Sequence, residues 1–273
     1  MKTRACAKIN LGLNIVKRRP DGYHDLQTVF YPVPIFDDIE ILADTTLTDV
    51  ALVMEGQPVE GAAEDNLVVK AYRLLASLYE LPPVKICLNK RIPMQAGMGG
   101  GSADATFTLR LLNDMFSLHM DAEQMTGLAA QLGADCPFFV EARPAYAEGI
   151  GERLSPIDLD LGNYRLAIVK PPVAVSTREA FAHVQVGFPE INCRDVVALP
   201  MEEWHGLLKN DFEESIFPQH PIIGEAKEQL YKLGAVYAAM SGSGSALFGF
   251  FRKGEEPTLD TAFPNDWFKQ LIV

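Results

Sequence analysis

The segment Pro93-Met94-Gln95-Ala96-Gly97-Met98-Gly99-Gly100-Gly101-Ser102-Ala103 holds four glycines within five residues, directly ahead of a stretch that reads as a helix. Glycine lets successive backbone N–H groups converge on one point, and a helix N-terminus adds about half a positive charge. Phosphate is the ligand that such a loop suits. The competing reading is a tight turn whose glycines, Gly100 among them, serve only positive φ. The loop is not a Walker A motif, because no Gly-Lys-Ser/Thr follows. It also departs from the dinucleotide fingerprint, since Ser102 stands where the third glycine belongs.

Four other segments carry side chains suited to chemistry. In Gly133-Ala134-Asp135-Cys136-Pro137-Phe138-Phe139 the glycine ends a helical pattern and Pro137 biases Cys136 toward extended backbone. Asp135 is therefore expected on a short helix-to-strand loop, where a carboxylate acts as a general base or simply closes the turn. Lys8 lies in Ala5-Cys6-Ala7-Lys8-Ile9-Asn10-Leu11, between small and apolar residues of a strand. Such a lysine either snorkels to water or meets an anion. In Arg19-Pro20-Asp21-Gly22-Tyr23-His24 the Asp-Gly pair signals a turn. Tyr23 and His24 beside it either stack on and hydrogen-bond a ligand or stand exposed. Met240-Ser241-Gly242-Ser243-Gly244-Ser245 reads as strand, glycine turn and strand, either a plain hairpin or a second anion-cradling loop.

The elements that must hold these residues alternate between strand and helix. Residues 29–31, 39–42, 50–54 and 84–88 are short and rich in β-branched or apolar side chains, so strands are expected. Residues 65–80 repeat apolar side chains at helical spacing up to Pro82-Pro83. Helices are also expected over 102–116, with Ser102 as N-cap, and over 121–132, capped by Asp121 and stopped by Gly133. Strands follow at 137–140, 145–148 and 166–169, helices at 178–183 and 222–233, and strands at 236–240 and 246–251. The class is α+β in two layers with largely antiparallel sheets. A boundary near residues 152–164 suggests two domains, 1–155 and 156–273.

Composition narrows the function. With 273 residues, 48% of them hydrophobic and 22% charged, the chain is an ordinary globular protein. No run of about 18 apolar residues supplies a membrane span. The basic N-terminus lacks the apolar stretch of a signal peptide, so a cytoplasmic protein is expected. The net charge of −12 arises almost wholly after residue 100 and opposes non-specific nucleic-acid binding. Local basic clusters at Lys17-Arg18-Arg19 and Lys90-Arg91 either receive a small anion or are solvated surface. Four cysteines without a CxxC pair fit buried free thiols.

Taken in order, these motifs resemble the galactokinase, homoserine, mevalonate and phosphomevalonate kinase (GHMP) superfamily. Glu64-Asp65-Asn66-Leu67, Ala147-Glu148-Gly149-Ile150-Gly151-Glu152 and Asn210-Asp211-Phe212-Glu213 extend the match, which runs collinearly from residue 5 to about 250. Met98 and Met240 stand where leucine is frequent in the relatives, a volume-conserving change. The resemblance implies a ribosomal-S5-like N-terminal domain that binds ATP and a ferredoxin-like C-terminal domain that binds substrate, with the active site in the cleft between them and Mg²⁺ required. It implies phosphorylation of the 2-hydroxyl of a cytidine-diphosphate-linked methylerythritol, on the non-mevalonate route to isoprenoids. Lys8 and Asp135 would be the catalytic pair, Pro93 to Ala103 the phosphate loop, and Asn66 a contact on the adenine side. Asn10, Tyr23, His24, Phe181, Gly242 and Ser243 would meet substrate, with Tyr23 and Phe181 sandwiching the cytosine. The partner would be this small molecule, and the protein a monomer or weak homodimer. Alternatives are a GHMP kinase for a mevalonate- or sugar-like alcohol, or a catalytically idle nucleotide-binding protein on the same fold.

Overall fold

Long runs of apolar and β-branched side chains carry the N-terminal part of the chain into two extended strands, β1 (Lys2–Arg18) and β2 (His24–Ala43). The two short strands expected within residues 29–42 are thus one. Pro32 and Pro34 lie inside β2 without ending it, since a proline is tolerated where its missing N–H is not needed by the ladder. The computed structural model describes residues 1–59 and 61–272. The chain divides into two compact units, one of Met1–Lys8, Pro32–Met94 and Gly99–Arg143, the other of Ile9–Tyr31, Gln95–Met98 and Pro144–Val273.

In the first unit β3 (Ala51–Gly56) runs parallel to β4 (Val84–Lys90), and β4 pairs antiparallel with Asp38 to Ala43 of β2. The α-helices of this unit among the described residues are α1 (Leu67–Ala76), α2 (Gly100–Met115), α3 (Ala122–Leu132) and α4 (Phe138–Glu141). The start of α3 is as expected. Asp121 accepts from the Gln124 amide at 2.9 Å while the Gln124 side chain accepts from the Asp121 amide at 3.1 Å, a reciprocal capping box.

Two local expectations are overturned here. Ser102 does not cap α2; Gly99 does, in left-handed backbone at φ 69°, and Ser102 lies inside the first turn. Residues 138–141 form the short helix α4 rather than a strand. An apolar run of that length suits either element, and Pro137 stands at the helix entry, where its missing N–H is not needed. Asp135 therefore sits on a helix-to-helix link.

Lys90 is not surface. Residues Val84, Ile86, Leu88 and Lys90 alternate inward along β4, and Lys90 is 2% exposed. Its ammonium pairs with Asp37, and with Asp104 of α2 at 2.6 Å. Asp37 also accepts the Ile92 amide at 2.8 Å. Burial, opposed by Lys90, pushes the Asp104 carboxyl up to about 8.

In the second unit β5 (Ala145–Glu148) pairs with Thr28 to Phe30 of β2 and with β6 (Arg153–Pro156), a strand within the stretch read as a boundary. A separate antiparallel sheet has the order β10-β7-β9-β8, built from β7 (Tyr164–Lys170), β8 (Tyr237–Met240), β9 (Leu247–Arg252) and β10 (Phe268–Ile272). Helices α5 (Thr177–Ala182), α6 (Cys193–Val196), α7 (Phe212–Ile216), α8 (Pro221–Lys232) and α9 (Leu259–Ala262) complete the unit. Ala167 and Val169 of β7, Leu247 and Phe251 of β9, and Ile223, Ala226 and Leu230 of α8 meet in one buried core. Each large aliphatic or aromatic side chain buried there contributes about 1.5–3 kcal/mol.

Candidate active site

Lys8 occupies the buried centre of β1, 3% exposed between Ala7 and Ile9. Its Nζ stands 3.3 Å from a carboxylate oxygen of Asp135, whose side chain is one-third exposed. Of the two readings of Lys8, the structure shows the paired lysine. The turn that presents Asp135 holds itself together without that side chain: the Cys136 amide donates to the Gly133 carbonyl at 3.1 Å, and the Thr106 hydroxyl donates to the Cys136 carbonyl at 2.9 Å.

The glycine loop reaches the same place. A Cβ on Gly99 would stand 2.9 Å from Phe139 Cζ and 3.1 Å from Lys8 Cγ and Cε. Only a residue without a side chain lets the loop end close on the lysine stem. Gly99 is followed at once by α2, whose first-turn N–H groups have no intrahelical partner. The first unit thus gathers an ammonium, a partly exposed carboxylate and a helix N-terminus.

The glycines differ in what they do. Gly97 and Gly99 have positive φ, and a Cβ on Gly97 would fall 1.9 Å from the Ser241 carbonyl oxygen. Gly100 has no positive φ, contrary to expectation. It is the first residue of α2, and its Cβ would stand 3.1 Å from Ile92 Cγ2 and 3.3 Å from Lys90 Nζ. Pro93, Met94, Gly101, Ser102 and Ala103 lie in the first unit with it; Gln95, Ala96, Gly97 and Met98 cluster with the second. There the Ala246 amide donates to the Ala96 carbonyl at 3.3 Å and the Ser241 hydroxyl to the Gly97 carbonyl at 2.9 Å. Asn66 is the N-cap of α1, accepting from the Val68 amide at 3.1 Å.

The expected substrate residues all lie in the second unit. Asn10 is buried and donates to the Thr28 hydroxyl at 3.0 Å, and its amide donates to the Ser241 hydroxyl at 3.3 Å. Gly242 takes left-handed backbone at φ 53°. Tyr23 is 61% exposed. His24 and Phe181 do meet, but on each other: their rings stack with centroids 4.6 Å apart and planes at 17°. Phe181 also packs edge-on against Phe212 at 4.8 Å. A base entering between His24 and Phe181 must part that stack. Burial first, and then the Arg18 guanidinium, push His24 below the ordinary histidine value. Its imidazole is therefore neutral near pH 7, with one nitrogen a donor and the other an acceptor.

Sequence reasoning assigned no role to Asn210 and Glu213. Both turn out to hold the backbone of Met240, and Asn210 that of Gly242 as well. The signal available was that Asn210-Asp211-Phe212-Glu213 extends the family resemblance, which gave these residues no role.

Comparison with known proteins identifies the family. Residues 66–143 match the GHMP kinases N terminal domain and residues 195–267 the GHMP kinases C terminal domain. A 4-diphosphocytidyl-2-C-methyl-D-erythritol kinase from Bacteroides fragilis is 52% identical over 253 residues, 92% of each chain. One of the same name from Porphyromonas gingivalis is 48% identical over 270 residues, 98% of this chain and 97% of its own. The crystal structure of a 4-(cytidine 5'-diphospho)-2C-methyl-D-erythritol kinase superposes with a TM-score of 0.77 at 33% identity, covering 91% of this chain and 89% of that one. A homoserine kinase from Cytophaga hutchinsonii, 16% identical with a TM-score of 0.66 over 98% of this chain and 95% of its own, shares the fold.

Proposed function

The chain belongs to the GHMP kinase family, and from that premise we propose that it transfers the γ-phosphoryl group of ATP to the 2-hydroxyl of 4-diphosphocytidyl-2-C-methyl-D-erythritol, on the non-mevalonate route to isoprenoid precursors. The observation that carries the chemistry is the Lys8–Asp135 pair, 3.3 Å apart, with the Lys8 stem packed on Gly99. The named relatives carry the choice of alcohol. Four free cysteines agree with a reducing cytoplasm, and no helix among the described residues is long and apolar enough to cross a membrane.

In this reading Asp135 accepts the proton of the 2-hydroxyl as its oxygen attacks the γ-phosphorus. The new O–P bond forms, the bond to the β,γ-bridging oxygen breaks, and ADP leaves with that oxygen. Lys8 holds the carboxylate and orients the hydroxyl. The glycine loop and the start of α2 direct N–H groups at the phosphates, so catalysis is chiefly positioning and charge stabilisation. Mg²⁺ characteristically takes one or two carboxylates together with phosphate oxygens and water. Among the described residues no three His, Cys, Asp or Glu side chains group as a metal cage, so the nucleotide's own phosphates and water would supply most of that donor set, and the ion would spread charge on the transferring group.

The direct test is a phosphoryl-transfer assay offering 4-diphosphocytidyl-2-C-methyl-D-erythritol, mevalonate, galactose and homoserine in parallel. Turnover with the cytidine compound alone is expected; preference for another alcohol would reject the substrate assignment.

The loop is tested separately by Gly100→Val. The added Cβ would already stand 3.1 Å from Ile92 Cγ2 and 3.3 Å from Lys90 Nζ before the γ-methyls find room, and overpacking of this kind costs about 1–3 kcal/mol. The KM for ATP is expected to rise about tenfold, that for the alcohol much less, with an unchanged circular dichroism spectrum. Equal loss for both substrates would mark the loop as a turn with no part in nucleotide binding.

A further inference from the structure

Asn210-Asp211-Phe212-Glu213 leads into and begins α7, yet most of the hydrogen bonds of its polar side chains go to other elements. Asn210 is 3% exposed. Its Nδ2 donates to the Met240 carbonyl at 2.7 Å and to the Gly242 carbonyl at 2.8 Å, and its Oδ1 accepts the Phe212 amide at 3.0 Å. A primary amide has two N–H donors; both go to the glycine turn. Glu213 accepts the Met240 amide at 2.7 Å and pairs with Lys227 at 2.5 Å. Met240 is thus held through its N–H and its carbonyl at once.

The same motif grips β1. Asp211 accepts the Ile15 amide at 2.7 Å and the Asn14 side chain at 3.2 Å. The Leu13 amide donates to the Lys209 carbonyl, and the Asp211 amide to the Leu13 carbonyl, both at 2.8 Å. Four residues therefore tie the strand bearing Asn10 to the turn bearing Gly242 and Ser243. The fit between those parts is close: a Cβ on Gly242 would stand 3.3 Å from Asn10 Oδ1. Met240 is the last residue of β8 in the ladder with β9, opposite Leu247, and Gly242 lies beyond it. Asn210 thus supports the turn where the sheet no longer does.

We propose that Asn210 and Glu213 are positioning residues, which hold the turn at residues 241–245 in the geometry that binds the alcohol substrate. The inference rests on the reading above that Asn10, Gly242 and Ser243 meet that substrate. Neither residue needs to touch a ligand; each acts through the backbone of Met240, and Asn210 through Gly242 as well.

The test is Asn210→Asp in the full-length enzyme. Aspartate keeps the shape and an acceptor for the Phe212 amide, but turns a carboxylate oxygen toward two carbonyls that need donors. The KM for 4-diphosphocytidyl-2-C-methyl-D-erythritol is expected to rise at least about tenfold, with the KM for ATP within threefold of wild type. A general loss of folding would move the thermal midpoint and leave this split absent. An unchanged substrate KM, or an equal rise in both KM values, overturns the proposal. If Asn210→Asp does not fold, Glu213→Ala, which takes the acceptor from the Met240 amide, is read by the same split. Ser243→Ala, measured alongside, separates the two levels. If it leaves substrate KM unmoved, the turn does not meet substrate and the clamp falls with that reading. If it raises substrate KM while Asn210→Asp does not, the clamp alone is wrong.

Discussion

Replacement of Asp135 by asparagine is expected to lower kcat by roughly 10²–10⁴-fold, the usual loss when a general base is removed, while ATP affinity stays close to wild type. Asparagine has the size of aspartate but takes no proton from an attacking hydroxyl. Its amide leaves the Lys8 ammonium, now 3.3 Å from a carboxylate oxygen, facing a neutral group. The fold should not suffer, because the turn is tied by the Cys136 amide and the Thr106 hydroxyl rather than by the side chain at 135. Stopped-time kinetics at saturating alcohol, with nucleotide binding measured separately, decide the matter. Turnover within threefold of wild type would remove Asp135 from the mechanism and leave it as a turn residue.

The uridine analogue of the substrate is expected to lose at least about 10²-fold in kcat/KM. Cytosine presents a donor at N4 and an acceptor at N3, and uracil reverses both. A neutral His24, using its ring and backbone, can complement only one of these patterns, and a site with committed polar groups rejects the other because buried groups are left unpaired. Each aromatic face that stacks on a base is worth about 1–3 kcal/mol. His24 lies directly on Phe181, so the base must either displace this stack or lie outside it, and the neighbouring residue Tyr23 is exposed. His24→Ala should narrow the gap between the two analogues while weakening binding of the cytidine compound. Equal use of both analogues by the wild-type enzyme would end the base-reading role of His24.

Features set by neighbouring residues were open to reading before any fold was known. Four glycines before a helix identified the loop, and Asp121 identified the cap of α3, which the structure completes as a capping box with Gln124. Where local rules compete, the reading failed. Ser102 has a good capping side chain, but Gly99 reaches the left-handed backbone that begins α2 three residues sooner. Pro137 disfavours helix for the residue before it yet suits a helix entry, and the second tendency won. Lys90 was legible in principle: strand alternation from Val84 already placed it on the inward face.

By itself the sequence determined the α+β class, the glycine loops, the strand that carries Lys8 and the family to which these motifs point. Only the tertiary structure decided that Lys8 meets Asp135, that His24 lies on Phe181, that Asn210 braces the Gly242 turn, and that residues Ile9–Tyr31 cluster with the C-terminal half. The physical reason is one of range. Backbone preferences, caps and turns depend on residues a few positions apart, so they are written in the local order of the chain. Pairing between distant segments depends on which buried surfaces fit together. The entropy of closing a long loop grows only slowly with its length, so sequence separation says little about which segments will meet.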